Sequence, residues 1–353
     1  MKTLYLHAGF SKTGSSSLQL FLRENAARLS HEGIIYPEPP RLADRLIDNP
    51  AGNGVFLRAF LENPADKAGR AAVKGHLTRL AKGPHDRIIL SNESLHQMSE
   101  DGFRALKAVL QDLSLKPVFV IVARDVIEHS LSAYRQRVGH EGLALGIEDY
   151  LMRARPRTGT TLDMLAGVFG PEALRVIPYQ KDPAANIIST LAAMDTRNEV
   201  AAIDIPVVNT GLDALGTEVM RHLNTMGTSP GVCRAIAGAL SGGVASPPVE
   251  GAPVKLALSD EALDWYREQA RRINAHLDGP PLAEPDREVS IQTVLLSAGE
   301  QKLAQALLQI AEQAEDLRQN SSIVRLARLV RRQRRSMAGV RAFLASLTGA
   351  GKG

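Results

Sequence analysis

Strand and helix signals alternate through the first half of this 353-residue chain, and that alternation restricts the fold more than any single motif does. "TLYLHAG" is a short apolar run ending at a glycine, and "SSSLQLFLRENAARL" follows it with helical spacing at Leu18, Phe21, Leu22 and Leu29. "RIILSNES" reads as a second buried strand, followed by a helix across "FRALKAVLQDL". "KPVFVIVARD" is the strongest strand, starting at Pro117 and staying apolar up to Arg124, with another helix from near Asp125. "ALRVIPYQ" then predicts a strand and "AANIISTLAAM" a helix. Strands separated by helices join through parallel crossovers, so the chain predicts an α/β fold with a central parallel sheet covered on both faces.

The second half is more broken. Residues 238–253, "GALSGGVASPPVEGAP", are rich in Gly, Ser, Pro and Ala and read as a loop or lid. "LSDEALDWYREQARRINAHL" reads as a helix, with Ser259 as N-cap and Asp260 and Glu261 near its positive end. "DGPPLAEPD" interrupts the chain, and everything beyond about Val289 reads as helix to the end. We see no repeat of fixed period. These signals divide the chain into an α/β domain over residues 1–285 and a helical, basic extension over 286–353.

Composition narrows the function classes. Hydrophobic residues make up 44% and charged residues 23%, the profile of a soluble globular protein. The single cysteine, Cys233, allows no internal disulfide and offers no thiolate cluster for a metal. The start "MKTLYLHAG" lacks the apolar segment of a signal peptide, and no run of about eighteen apolar residues occurs, so a cytoplasmic location is expected. The formal charge of +4 is uneven, because residues 320–353 hold eight Lys/Arg and no Asp or Glu. Without them, 34 basic residues face 38 acidic ones, a body charge of −4. A chain of this kind does not coat nucleic acid along its whole surface.

The opening stretch "YLHAGFSKTGSSSLQLFL" carries the first chemical signal. Gly9 and Gly14 keep the glycine spacing of the nucleotide loop G-x-x-x-x-G-K-[ST], but Ser15 stands where the lysine belongs. A lysine occurs instead two residues before the second glycine, as Lys12. A strand, a tight glycine turn and a helix beginning with Ser15, Ser16 and Ser17 form an anion site at the carboxyl edge of a parallel sheet. Lys12 adds a point charge there. The lysine and Ser/Thr pair that hold a triphosphate and its magnesium are missing. A plain Gly/Ser turn with a solvated lysine is the competing account. The second signal is "VFVIVARDVIEHSLSAYRQRV": Arg124 ends a strand on the same sheet edge, and Ser132 lies eight positions on within the next helix. A guanidinium grips phosphate in two-pronged fashion, and a hydroxyl can add to it. Taken singly, an arginine after a strand is more often the member of a surface ion pair. Taken together, the two segments point to one ligand with two separated phosphate groups.

These segments resemble the signatures of the sulfotransferases that use 3′-phosphoadenosine 5′-phosphosulfate (PAPS). The family's P-K-[ST]-G-[ST]-[ST] motif is matched by "SKTGSSSLQ" at Lys12, Thr13, Gly14, Ser15 and Ser16, with Ser11 in place of proline. Its R-[DN]-P-x-x-x-x-x-S-x-Y pattern is matched at Arg124, Asp125, Ser132 and Tyr134, with Val126 in place of proline. "VIPYQKD" resembles the family's strand ending in a tyrosine near the nucleotide, here Tyr179. "PVVNTGL" resembles an N-x-[ST] element of bacterial members, and "REQARRINAHL" the closing helix of such domains. The likeness spans about the first 280 residues, tightly at two motifs and loosely elsewhere; the late R-K-G element of animal cytosolic members is absent. It implies a P-loop-like three-layer sandwich and transfer of a sulfuryl group from PAPS to an acceptor hydroxyl or amine, releasing 3′,5′-ADP without a metal. It further implies that Lys12, Thr13, Gly14, Ser15, Ser16 and Ser17 hold the 5′-phosphosulfate end. Arg124 and Ser132 would hold the 3′-phosphate, with Tyr179 near the nucleotide. A carbohydrate or glycolipid acceptor is the habit of the family.

Lys12 is the expected catalytic cation at the bridging oxygen and leaving phosphate. For the acceptor's proton, "IILSNESLHQM" offers Glu93 first and His96 second as catalytic base, with His7 and His129 more distant. Glu93 can equally be a helix-start carboxylate making a cap. In the tail, Leu303, Leu307, Ile310, Ala314 and Leu317, then Ile323, Leu326, Val330, Gln333, Met337, Val340, Leu344 and Leu347, follow heptad-like steps of three and four residues. With Arg325, Arg328, Arg331, Arg332, Arg334, Arg335 and Arg341, the second set admits three readings: packing on the domain or in a homo-oligomer, contact with anionic lipid at the membrane surface, or nucleic-acid binding. The last is disfavoured because aromatics are nearly absent there. Two alternatives to a sulfotransferase stay open: a nucleotide kinase or NTPase with a degenerate loop, for which Asp125 is the nearest magnesium ligand, and a non-catalytic nucleotide-binding protein. The loop segment "RLADRLIDNPAGNGVFLRAF" and the stretch after Gly238 are expected to shape the acceptor pocket.

Overall fold

A computed structural model describes residues 1–10, 13–40, 52–63, 66–196, 212–242 and 252–302, and residues 304, 305, 308, 309, 312 and 313. Lys12, the "PVVNTG" element, residues 41–51 of the expected acceptor loop and the basic tail lie outside the described residues, as do all the tail residues named above.

The first half runs β1 (Lys2–His7), α1 (Ser15–Glu24), α2 (Ala26–His31), β2 (Ile34–Ile35), α3 (Val55–Leu61), α4 (Lys67–Lys82), β3 (Arg87–Ser91), a single-turn helix (Glu93–Gln97), α5 (Glu100–Asp112) and β4 (Leu115–Ala123). It continues through α6 (Val126–His140), α7 (Ile147–Arg153), α8 (Thr158–Phe169), β5 (Leu174–Pro178) and α9 (Pro183–Ala193). Then come α10 (Ala214–Thr225), α11 (Pro230–Gly242), β6 (Ala252–Ala257), α12 (Asp260–Asn274) and β7 (Glu288–Thr293). Five strands form one sheet in the order β2-β3-β1-β4-β5, every pair parallel. The result is the P-loop-like α/β sandwich.

The apolar runs of the central strands follow from burial on both faces. Leu4, Leu6, Ile88, Leu90, Phe119, Ile121 and Ala123 face one core, which α3, α4, α5, α8 and α12 complete. The alternate residues Tyr5, Ile89, Val118 and Val120 face a second core with Leu18, Phe21 and Leu22 of α1, Leu29 of α2 and Ile187 and Leu191 of α9. The helix leaving β1 therefore covers one face, and those leaving β3 and β4 begin over the other. Strands whose crossovers diverge in this way leave a crevice at their carboxyl ends.

The chain divides into two units. One comprises residues 1–135, 145–211 and 253–291 and holds the sheet and both cores. The other comprises residues 136–144, 212–252 and 292–353. Within the latter, buried Asn224 of α10 donates to the carbonyls of Val138 and Leu143 at 2.8 and 3.0 Å and accepts from Cys233 of α11 at 3.0 Å.

Four expectations need correction. The helix after Gly14 is two helices, because Asn25 turns its own side chain back onto the Phe21 carbonyl at 2.9 Å and breaks the run. β4 begins at Leu115, two residues before Pro117; pairing with β5 starts only at Phe119, so the proline's missing N–H costs no ladder bond on that side. Residues 238–242 belong to α11, not to a loop, since buried Val232, Cys233, Ile236 and Ala237 carry helical spacing into them. Finally, the chain beyond Val289 is not all helix: β7 pairs with β6, its Val289 and Ile291 buried and their neighbours exposed.

Candidate functional site

All of the candidate site lies in the first unit, at the carboxyl ends of β1, β3, β4 and β5. β1 ends at His7, and the Ala8 N–H still reaches the Val120 carbonyl of β4 at 3.3 Å. Thr13, buried, closes the loop by donating its hydroxyl to the Phe10 carbonyl at 2.6 Å. Gly14 then takes φ 86°, a left-handed conformation that side chains resist, and α1 starts at Ser15 with no side-chain cap and no acidic residue in its first turn. A helix start of this kind presents N–H groups and a positive dipole end. The Ser15 hydroxyl is buried and has no hydrogen-bond partner among the described residues. An unsatisfied buried hydroxyl costs about 1–3 kcal/mol, which makes the Ser15 oxygen a candidate contact for a bound anion. The loop is also wound close. A methyl at Gly9 would stand 2.3 Å from Ser15 Oγ and 2.9 Å from His7 Cε1.

Beneath the loop is a buried polar floor. His7 Nδ1 lies 2.8 Å from Ser91 Oγ at the end of β3, and Gln19 of α1 donates to the same oxygen at 3.1 Å. Asn53 accepts from the Ser91 N–H at 2.8 Å and donates to the Ile89 and Pro37 carbonyls. Complete burial pushes the His7 imidazole down to about 4, so it is neutral and ties β1, β3 and α1 together.

Arg124 follows β4 directly. Its guanidinium lies 4.8 Å from the centre of the Tyr179 ring, and its Nε is 3.3 Å from Glu128 of α6. Tyr179 reaches this place because its N–H bonds the Ala123 carbonyl at 2.7 Å, extending the β4–β5 ladder by one rung. Asp125, the carboxylate a kinase reading would assign to magnesium, caps α6, its Oδ1 accepting from the N–H groups of Ile127 and Glu128 at 2.9 Å each. Ser132 sits one turn beyond Glu128 on the same face of α6 and is half-buried. Tyr134, by contrast, is a core residue: it is buried, its ring 5.2 Å from that of Tyr150, its hydroxyl donating to the Leu145 carbonyl.

The strand end after β3 supplies Glu93 and His96. Asn92 is the cap, accepting from the Ser94 N–H at 2.6 Å, so Glu93 does not serve that purpose and stands half-buried in the first turn. The His96 ring packs 4.8 Å from Phe10 and bonds the carbonyls of Glu93 and Gly9; burial, foremost, holds its pKa below the usual histidine value. His129 of α6 lies on Phe10 as well, with ring centres 6.4 Å apart. Phe10 is thus shared by two histidines from two different strand ends.

Thr13 to Ser17, Glu93 and His96, Arg124, and Tyr179 follow the carboxyl ends of β1, β3, β4 and β5 respectively, whereas Ser132 lies inside α6 and His7 is the last residue of β1. One linking residue escaped the sequence reading. Asn186 of α9, buried, donates to the Thr13 carbonyl at 2.8 Å and accepts from the Gln180 N–H at 3.1 Å. It joins the loop after β1 to the loop after β5. A polar residue in the apolar run "AANIISTLAAM" was the signal. Among the described residues no group of three or more His, Cys, Asp or Glu side chains is placed to hold a metal, and no helix is long and apolar enough to cross a membrane.

No family model and no curated protein matches the chain. Among solved structures, the crystal structure of a sulfotransferase from Alicyclobacillus acidocaldarius is similar to it at 15% identity and a TM-score of 0.36, covering 68% of this chain and 96% of that one.

Proposed function

We propose that the protein is a sulfotransferase that moves a sulfuryl group from PAPS to an acceptor hydroxyl or amine, on a carbohydrate or glycolipid. One observation carries the reading: the uncapped start of α1, where the Ser15 hydroxyl has no partner among the described residues, and the Arg124–Tyr179 pair follow strands of one sheet edge, and Asn186 joins the Thr13 carbonyl to the Gln180 N–H beside Tyr179. Bound there, PAPS supplies the activated sulfuryl group. The N–H groups at Gly14, Ser15 and Ser16 and the hydroxyls of Ser15 and Ser16 would hold the 5′-phosphate oxygens, and Lys12 would neutralise charge on the leaving side. Arg124 and Ser132 would hold the 3′-phosphate, and Tyr179 would set the plane of the guanidinium. Glu93 would accept the acceptor's proton. The basic tail would bring a lipid-linked acceptor near, through anionic headgroups.

The test is a thermal shift with 3′,5′-ADP, ATP and GTP, followed by transfer assays with labelled PAPS against glycan and glycolipid extracts. Stabilisation by 3′,5′-ADP and label in the extract are expected. Stabilisation by ATP alone would favour a kinase, and 3′,5′-ADP binding without transfer to any acceptor would favour a binding protein.

A further inference from the structure

We propose that Lys181 is a second cation for the phosphate monoester that Arg124 binds, and that Glu128 is a stand-in anion which holds both cations until that ligand arrives. The inference rests on the reading just given and adds a residue that no motif named. Glu128 uses its two oxygens separately: Oε2 lies 3.3 Å from Arg124 Nε, and Oε1 lies 3.3 Å from Lys181 Nζ. Two cations thus converge on one carboxylate, and the three groups together carry a net charge of about +1. A terminal phosphate monoester carries close to two negative charges near neutral pH, so it answers both cations where one carboxylate answers only half of them.

The geometry is suited to exchange. Both contacts are longer than the ~2.7–2.9 Å of a tight charge-assisted bond. The Glu128 side chain is 38% exposed and can swing into water, whereas Arg124 is 20% exposed and lies against the Tyr179 ring. Lys181 is long and 84% exposed, but its backbone is anchored on both sides. The Gln180 N–H before it is held by Asn186. Asp182 after it caps α9, accepting from Ala184 N–H at 3.1 Å, with Pro183 at the first helical position. The competing account is an exposed ion pair with no consequence for binding.

The experiment is calorimetric titration of the full chain with adenosine 3′,5′-bisphosphate and with adenosine 5′-monophosphate, which lacks the 3′-phosphate. Wild type is expected to prefer the bisphosphate. Lys181→Ala should weaken the bisphosphate about five-fold and the monophosphate less than about two-fold, while Lys181→Arg keeps the preference. Glu128→Gln should tighten the bisphosphate, because a competing charge is gone. Unchanged melting temperatures will show that the exposed substitutions leave the fold intact. If wild type does not discriminate, the assignment of Arg124 to a 3′-phosphate fails and the role of Lys181 falls with it. If wild type discriminates and Lys181→Ala keeps the same ratio, or Glu128→Gln weakens binding, the Lys181 inference alone is overturned.

Discussion

The side-chain amide of Asn186 donates to the backbone carbonyl of Thr13 at 2.8 Å, across 173 residues of sequence. Its carbonyl end accepts from Gln180 N–H. Asn186→Ala removes the buried partner of the Thr13 carbonyl and the half-buried partner of the Gln180 N–H, so a loss of about 1–3 kcal/mol is expected in urea unfolding. Binding of 3′,5′-ADP should weaken in parallel, since the loop after β1 loses its anchor to α9. Asn186→Asp removes the donor and places a carboxylate against the Thr13 carbonyl, and should be at least as damaging. Unaltered stability and affinity in both variants would deny the tether.

Gly9 and Gly14 should fail for different reasons. At Gly14 a side chain must adopt φ 86° and meets Asn186 Nδ2 at 2.8 Å, so Gly14→Ala is expected to cost about 1–2 kcal/mol from backbone strain, before the contact is counted. At Gly9 the obstacle is packing: the new methyl lies 2.3 Å from Ser15 Oγ. Combining Gly9→Ala with Ser15→Ala removes the closer obstacle, leaving His7. The double variant should therefore recover part of the lost stability, read from the same unfolding curves. A Gly14→Ala protein gains nothing from Ser15→Ala, which separates the two causes.

Stability should fall as the medium is acidified below the ordinary histidine range. Burial pushes the folded-state pKa of His7 to about 4, below its value of 6.5 in the unfolded chain. Between those values the unfolded chain binds the proton and the folded chain does not, so acidification favours unfolding. The loss begins near 6.5, grows toward 4 and levels off below it, reaching on the order of 3 kcal/mol for this one group. His76, also lowered to about 4 by burial and by Arg79, adds to the same window. Urea midpoints measured across it should show a shallower slope for His7→Gln than for wild type. Equal slopes would mean that His7 is already accessible to protons in the folded protein.

Glu93 and His96 are separable by function. Glu93 is not the cap of its helical turn, and its substitution by Gln should lower kcat about 10²–10⁴-fold while 3′,5′-ADP binds as before. His96 holds the carbonyls of Glu93 and Gly9 together, so His96→Ala should also raise KM and lower the melting temperature. Full turnover in Glu93→Gln, with none in Lys12→Ala, would remove Glu93 from the role.

Much of the fold was legible in residue order. The apolar runs around Leu4, Ile89 and Val120 announced strands buried on both faces, and Ser259 capped its helix as its position implied, accepting from the Ala262 N–H at 3.3 Å. Where legibility failed, the cause was local. β7 escaped because two apolar positions, Val289 and Ile291, are too short a run for period two to stand out before a helical stretch. Asn25 hid inside a helical pattern whose apolar spacing it did not disturb.

Residue order by itself determined β1, β3, β4 and β5, their alternation with helices, the glycine turn before Ser15 and the cation after β4, because burial period and turn chemistry are local properties. Tertiary structure alone decided which groups meet: the Asn186 amide with the Thr13 carbonyl, Arg124 with Tyr179, Glu128 with Lys181, His7 with Ser91. Those meetings depend on strand order and register, His7 beside Ser91 and Ala123 beside Pro178. Register is set by packing across the whole sheet, and a short stretch of sequence carries no record of it.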